Sequence, residues 1–174
     1  QDMPSVFGVI MGTGVGGGMV IQQRLHTGLQ HIAGEWGHNS LDPDGPACYC
    51  GQRGCIETYL SGPGFLADYR CLGGVTATTP EAVICEAEAK DPIARQALDN
   101  LLDRFGKAIA GVINILDPHV IVLGGGLSNI SQLYENGPDR IAQYVFNPVL
   151  KTPLRRNVNG DSAGVLGAAG LWDR

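Results

Sequence analysis

A chain of 174 residues is long enough to bury one ordinary core without obligatory metals or disulfides, so a single domain is expected. A formal net charge of −5 gives no basic footprint for nucleic acid, and no apolar run nears the roughly 20 residues of a membrane-spanning helix. No basic segment followed by an apolar signal core opens the chain, so it reads as cytoplasmic, and an odd count of five cysteines argues for a metal site over a secreted disulfide framework.

The chain begins at Gln1 without Met and enters an apolar run within five residues, as a fragment would. Residues 6–11 are β-like, Gly12 to Gly18 reads as a glycine loop, and 19–22 resume extended character before a turn near His26-Thr27-Gly28, a hairpin that opens a sheet. Residues 33–64 are rich in Gly, Pro, Cys and Asp with little periodicity, too long for a plain loop in a compact domain, so the stretch needs a staple or a function. Residues 61–69 and 80–90 suit short helices. Asp91-Pro92 then supplies an N-cap and a first-turn proline to a long helix, whose stripe runs Leu98, Leu101, Leu102, Phe105, Ile109, Val112, Ile113, Leu116. Asp117-Pro118 ends it. Residues 120–123 form an apolar strand of the kind found in parallel sheets, and Gly124-Gly125-Gly126 turns the chain into a helix expected near Ser128. Strand, glycine turn and helix together predict an α/β fold with ligands beyond the carboxyl ends of the strands.

Gly12, Gly14 and Gly17 spell G-x-G-x-x-G, but a dinucleotide fingerprint opens a helix and Met19-Val20-Ile21 is strand-like. A tight turn remains, either unliganded or offering its amides and the Thr13 hydroxyl to phosphate oxygens. At Gly124 to Gly126, glycine serves equally for a flat ligand on bare backbone or for close packing. His38, Cys48, Cys50 and Cys55, spaced H-x9-C-x-C-x4-C, have the types for a closed tetrahedral zinc site, which leaves no open position for water and so has a structural task; reduced loop thiols are the alternative. Such a clip would gather Glu35, His38 and Glu57 as acceptors for sugar hydroxyls.

The wording Gly34-Glu35-Trp36-Gly37-His38, Cys48-Tyr49-Cys50-Gly51, Gly54-Cys55-Ile56-Glu57 and Ser61-Gly62 resembles the signature of the ROK family of sugar kinases and repressors. The likeness continues through Gly12-Thr13-Gly14, through Asp117-Pro118 to Gly126, and through Gly160-Asp161-Ser162-Ala163-Gly164. It implies an α/β, ribonuclease H-like lobe of the actin-like ATPase fold with a zinc-stapled loop at about 34–64. Residues 1–174 would be the C-terminal lobe, and the N-terminal lobe is absent from this chain. His38, Cys48, Cys50 and Cys55 would hold zinc, and Glu35, Glu57 and the free ring edge of His38 would bind sugar. Gly12, Thr13 and Gly14 would lie at the ATP phosphates, with Gly124, Gly125 and Gly126 toward the nucleoside and magnesium accompanying ATP. The family's N-terminal Asp-x-Gly-Gly-Thr loop and Asn-Asp catalytic base have no counterpart here, and Asp2 is not promoted to base, so this chain alone is expected to turn over negligibly.

Within the family the wording is most similar to bacterial fructokinases of the mannokinase type, so ATP-dependent phosphorylation of fructose is expected of the intact protein, as a homodimer. The alternatives are a sugar-responsive repressor, the one branch with a nucleic-acid partner, an N-acetylglucosamine or glucose kinase, or a silent zinc-stapled interaction domain. His26, His31, His119, Cys71 and Cys85 receive no role.

Overall fold

The computed structural model describes residues 3–160, so Asp2 and the segment from Asp161 onward lie outside the described residues. Three antiparallel strands open the chain, β1 (Ser5–Met11), β2 (Val15–Ile21) and β3 (Arg24–His26). In β1 every second side chain, Phe7, Val9 and Met11, is buried, the period of two that a sheet with one covered face imposes. The β1–β2 turn contains only Gly12, Thr13 and Gly14, because Met11 pairs with Val15, Ile10 with Gly16, Val9 with Gly17 and Gly8 with Gly18. This corrects the loop expected over Gly12 to Gly18. A Cβ on Gly17 would stand 2.9 Å from the rings of both Phe7 and Trp36, so these glycines make a bare strand over which another segment packs. The second turn is also displaced. It falls at Gln22 and Gln23, both at positive φ (49° and 63°), which leaves Arg24–His26 free to pair back on β2.

The helices follow their capping signals. Helix α1 (Glu57–Leu60) leads into α2 (Gly62–Cys71), capped by the Ser61 hydroxyl accepting from Gly64 N–H at 3.1 Å. Helix α3 (Pro80–Glu88) is capped by Thr79, and α4 (Pro92–Leu116) by the Asp91 carboxylate accepting from Ala94 N–H at 2.8 Å. On α4 the predicted stripe is the buried one: Leu101, Leu102, Phe105, Ile109, Val112 and Ile113 join the core, with Leu98 and Leu116 at its margin. Asp117, left-handed at φ 41°, stops the helix before Pro118.

Strand β4 (Val120–Gly124) then lies parallel to β1, and β5 (Leu154–Arg156) parallel to β4, giving the order β3-β2-β1-β4-β5. Between β4 and β5 the single helix expected near Ser128 is instead a 3-10 turn over Gly126–Asn129, then α5 (Gln132–Glu135) and α6 (Gly137–Ala142). The Ser128 hydroxyl donates back to the Gly125 carbonyl at 2.7 Å, and Pro138 cannot continue a helix from α5, so the segment breaks into pieces. Among the described residues no helix is long and apolar enough to cross a membrane.

Candidate functional site

The bare part of β2 is where the site begins. A Cβ on Gly34, which sits at φ 110°, would run into the Gly17 carbonyl, and one on Gly37 into the Val15 carbonyl, so only glycine lets this segment lie on the strand. Trp36 is pinned between them, buried edge-on against Phe7 at 6.0 Å and 81°. Its burial leaves Glu35 exposed and His38 half-buried on the outer side. Glu35 borders an apolar hollow of about 560 Å³ between β1, β2 and α4, lined by Phe7, Met19, Ile32 and Val112.

Beyond His38 the chain folds on short bridges, Ser40 with Cys55 and Ala47 with Arg53, and turns at Gly51 (φ 92°). These bridges bring the ligand-type atoms of His38, Cys48, Cys50 and Cys55 within 4.8 Å of one another. His38 Nδ1 stands 3.6 Å from Cys48 Sγ, and Cys50 Sγ 3.6 Å from Cys55 Sγ, with all three cysteines free thiols. The unusual C-x-C spacing is therefore no obstacle, because the Gly51 turn swings Cys50 back toward Cys55. Three sulfurs and one imidazole nitrogen converging on one point fit a structural zinc ion, with His38, Cys48, Cys50 and Cys55 as the holders. The thiols differ before any metal arrives. A hydrogen bond from the Gln52 backbone lowers Cys50 to about 7, whereas burial pushes Cys55 up to about 12.

The predicted sugar acceptors lie beside the cluster in sequence. Glu57, the first residue of α1, follows Cys55 by two positions, and its Oε2 accepts from the Val15 N–H at 2.9 Å, beside the Gly12–Gly14 turn. The ring edge of His38 is not free: Nε2 lies 3.1 Å from the Tyr49 hydroxyl, with the two rings edge-on at 5.2 Å. The charge of Glu57 is the main cause raising the Tyr49 phenol above its ordinary value. Sequence reasoning missed Tyr49, although its place between two cluster cysteines was a usable signal.

On the other side of the same turn lies a cleft of about 510 Å³, lined by Gly12, Thr13, Gly62, Pro63, Arg70, Glu81 and Gly126 among others. Gly12 gives its N–H to the Gly14 carbonyl and its own carbonyl accepts from Gly62 N–H; Thr13 borders this cleft, whereas Gly14 does not, a Cβ there meeting Glu57 Oε2 at 2.7 Å. Gly126 borders this cleft, but Gly124 and Gly125 do not: a Cβ on Gly125 would meet the Met11 backbone at 2.5 Å, and one on Gly124 the Ile10 side chain at 3.0 Å. Close packing on β1 explains those two glycines. Arg70 and Glu81 were invisible in the sequence as cleft residues, being brought to Gly12 only by the docking of α2 and α3.

The ROK family profile matches residues 1–174 in full. The chain belongs to the ROK family. It is 40% identical, over 99% of its length, to the N-acetyl-D-glucosamine kinase of Histophilus somni, and spans about 60% of that relative. Among solved structures it resembles a ROK family glucokinase from Streptomyces griseus in complex with glucose and AMPPNP (TM-score 0.88, 26% identity, 98% of this chain and 61% of that one). It also resembles a ROK hexokinase from Thermus thermophilus (TM-score 0.84, 32% identity, 97% and 58%). The ROK fold here is accordingly α/β, the ribonuclease H-like lobe of actin-like ATPases. None of these three relatives is named for fructose, the hexose that the motif wording suggested.

Proposed function

We propose that this chain is the C-terminal lobe of an ATP-dependent hexose kinase, with N-acetyl-D-glucosamine as its first candidate substrate and glucose next. One observation carries the reading: the Gly12–Gly14 turn is shared by two sites. Thr13 borders the cleft on one side, and on the other the Val15 N–H holds the Glu57 carboxylate next to the His and Cys cluster. A nucleotide in the cleft with its phosphates at the turn would present them toward a sugar held by Glu57, Glu35 and His38. Phosphoryl transfer is mainly positioning and charge stabilisation, with magnesium bridging phosphate oxygens, and a shared turn is a means of positioning. Zinc on His38, Cys48, Cys50 and Cys55 would serve the sugar side by fixing the loop that carries the acceptors.

The names of the relatives move the substrate from fructose, the sequence expectation, to an aldohexose, with the acetylated sugar favoured by the Histophilus somni protein. On this reading the catalytic base comes from the remaining part of the kinase rather than from the described residues of this chain. A coupled ATPase assay of the full-length protein against N-acetyl-D-glucosamine, glucose and fructose tests this. The expected kcat/KM is highest for N-acetyl-D-glucosamine, and the 174-residue chain alone shows no turnover. Preference for fructose would reverse the substrate assignment. Sugar-dependent stabilisation with no phosphorylation of any hexose would replace the kinase with the repressor reading.

A further inference from the structure

His38 Nδ1 faces Cys48 Sγ at 3.6 Å, which commits that nitrogen to the cluster. A neutral imidazole using the Nδ1 lone pair as a ligand carries its single hydrogen on Nε2, and that hydrogen goes to one acceptor at full strength. In the structure the acceptor is the Tyr49 hydroxyl, 3.1 Å away. Tyr49 is 84% exposed, and beyond the edge-on contact with His38 its ring has no aromatic partner among the described residues. A side chain so placed is free to leave at little cost in packing.

We propose that the Tyr49 hydroxyl is a displaceable stand-in for a sugar hydroxyl at His38 Nε2, so that hexose binding exchanges one oxygen for the other. The inference rests on the sugar side of the function proposed above, where Glu35, Glu57 and His38 are the acceptor and donor set. Two features meet at this hydroxyl: it holds the only hydrogen the His38 ring has left to give, and it stands on the hairpin that carries two cluster thiols. Tyr49 thereby sets affinity. Every sugar must first release the histidine, and only a sugar with an oxygen able to accept from Nε2 recovers the hydrogen bond that is lost.

The test is calorimetry on the full-length protein with N-acetyl-D-glucosamine and glucose, comparing wild type with Tyr49→Phe, which removes the oxygen and keeps the ring. Removing the competitor should tighten the sugar Kd by roughly twofold to tenfold, the range of one ordinary hydrogen bond. Nucleotide Kd and zinc per chain serve as references that the exchange leaves in place. In wild type the His38 Nε2–H resonance should shift on adding sugar. A sugar Kd that is unchanged or weaker in Tyr49→Phe at full zinc content overturns the exchange, and so does zinc loss in that variant, which would make Tyr49 a support of the cluster. Sugar binding without any turnover sinks the kinase reading while leaving the exchange readable. No binding of either sugar sinks both.

Discussion

At the residue scale, the unequal thiols of the cluster give a chemical handle. Cys50 is exposed and held near 7 by the Gln52 backbone hydrogen bond, whereas buried Cys55 is pushed to about 12. The thiolate is the nucleophile, so in the metal-free protein iodoacetamide should label Cys50 ahead of Cys55, with a rate that rises as the pH passes upward through about 7. Mass spectrometry of peptides labelled at a series of pH values reads this directly. Equal labelling of the two cysteines, or a Cys50 rate still climbing only near the ordinary thiol range, would show that the Gln52 contact does not govern Cys50. The four cluster residues were legible because zinc needs thiolates and imidazole and the sequence packs three cysteines into residues 48–55. Tyr49 was missed because its place between two cluster cysteines marks its position but not its partner, which is His38 Nε2. Arg70 and Glu81 were hidden for a different reason: more than fifty residues separate them from Gly12, and no local pattern reports a cleft closed by tertiary docking.

At the scale of elements, helix α4 holds two glycines that local propensity treats alike and packing separates. Replacing a mid-helix glycine with alanine ordinarily stabilises by about 1 kcal/mol. At Gly111 a Cβ would meet nothing within 4 Å, so Gly111→Ala should gain about 0.5–1 kcal/mol. At Gly106 a Cβ would stand 2.7 Å from the Arg140 backbone of α6, which cannot yield as a side-chain tip can. Overpacking there costs about 1–3 kcal/mol and outweighs the propensity gain, so Gly106→Ala should destabilise by about 1–2 kcal/mol. Urea denaturation of both variants checks the opposite signs. A shared sign would mean that α6 shifts readily, or that propensity dominates both sites. The same contrast explains what the sequence disclosed. Helix α4 was readable because its apolar residues recur at helical steps and Asp91 and Asp117 mark its ends. Gly16 to Gly18 misled because glycine-rich strands look like loops, and only the crossing of Gly34 and Gly37 above them gives the bare backbone a purpose.

At the scale of the whole molecule, the question is how far a metal in one loop reaches. The segment from Asn39 to Ile56 has little regular structure, being held by two isolated bridges and by turns such as Cys48 N–H to the Gln52 carbonyl at 2.9 Å. It is tied to the rest of the molecule by Leu41 and Ile56, which are buried in the core, and by a few hydrogen bonds. The Lys107 ammonium on α4 donates to the Leu41 carbonyl at 3.0 Å, and the Tyr59 hydroxyl of α1 donates to Asp42 Oδ2 at 3.4 Å. Most of that core lies outside the loop: Phe105 and Ile109 of α4 and Ile121 and Leu123 of β4 are buried in it. Zinc bound at a hundredfold excess over its Kd stabilises the folded state by about 2.7 kcal/mol, which for a domain of this size corresponds to a Tm change of roughly 5–11 °C. Purified protein should therefore contain about one zinc per chain, the number its four-ligand closed cluster accommodates. A strong chelator should lower Tm by that order while far-UV circular dichroism barely changes, because the loop contains no helix or strand. Limited proteolysis should then cut first between Asn39 and Ile56. Glu57 follows this segment directly, so loosening it frees the carboxylate from the Val15 N–H. Sugar affinity should accordingly fall with the metal, while nucleotide affinity, if the cleft of α2, α3 and Gly126 is its site as proposed, should fall less. Equal loss of both would mean that the metal supports the whole lobe. A metal-free protein with unchanged melting and unchanged cleavage would leave the loop held by its bridges alone, and the cluster would then have no part in aiming Glu35, His38 and Glu57.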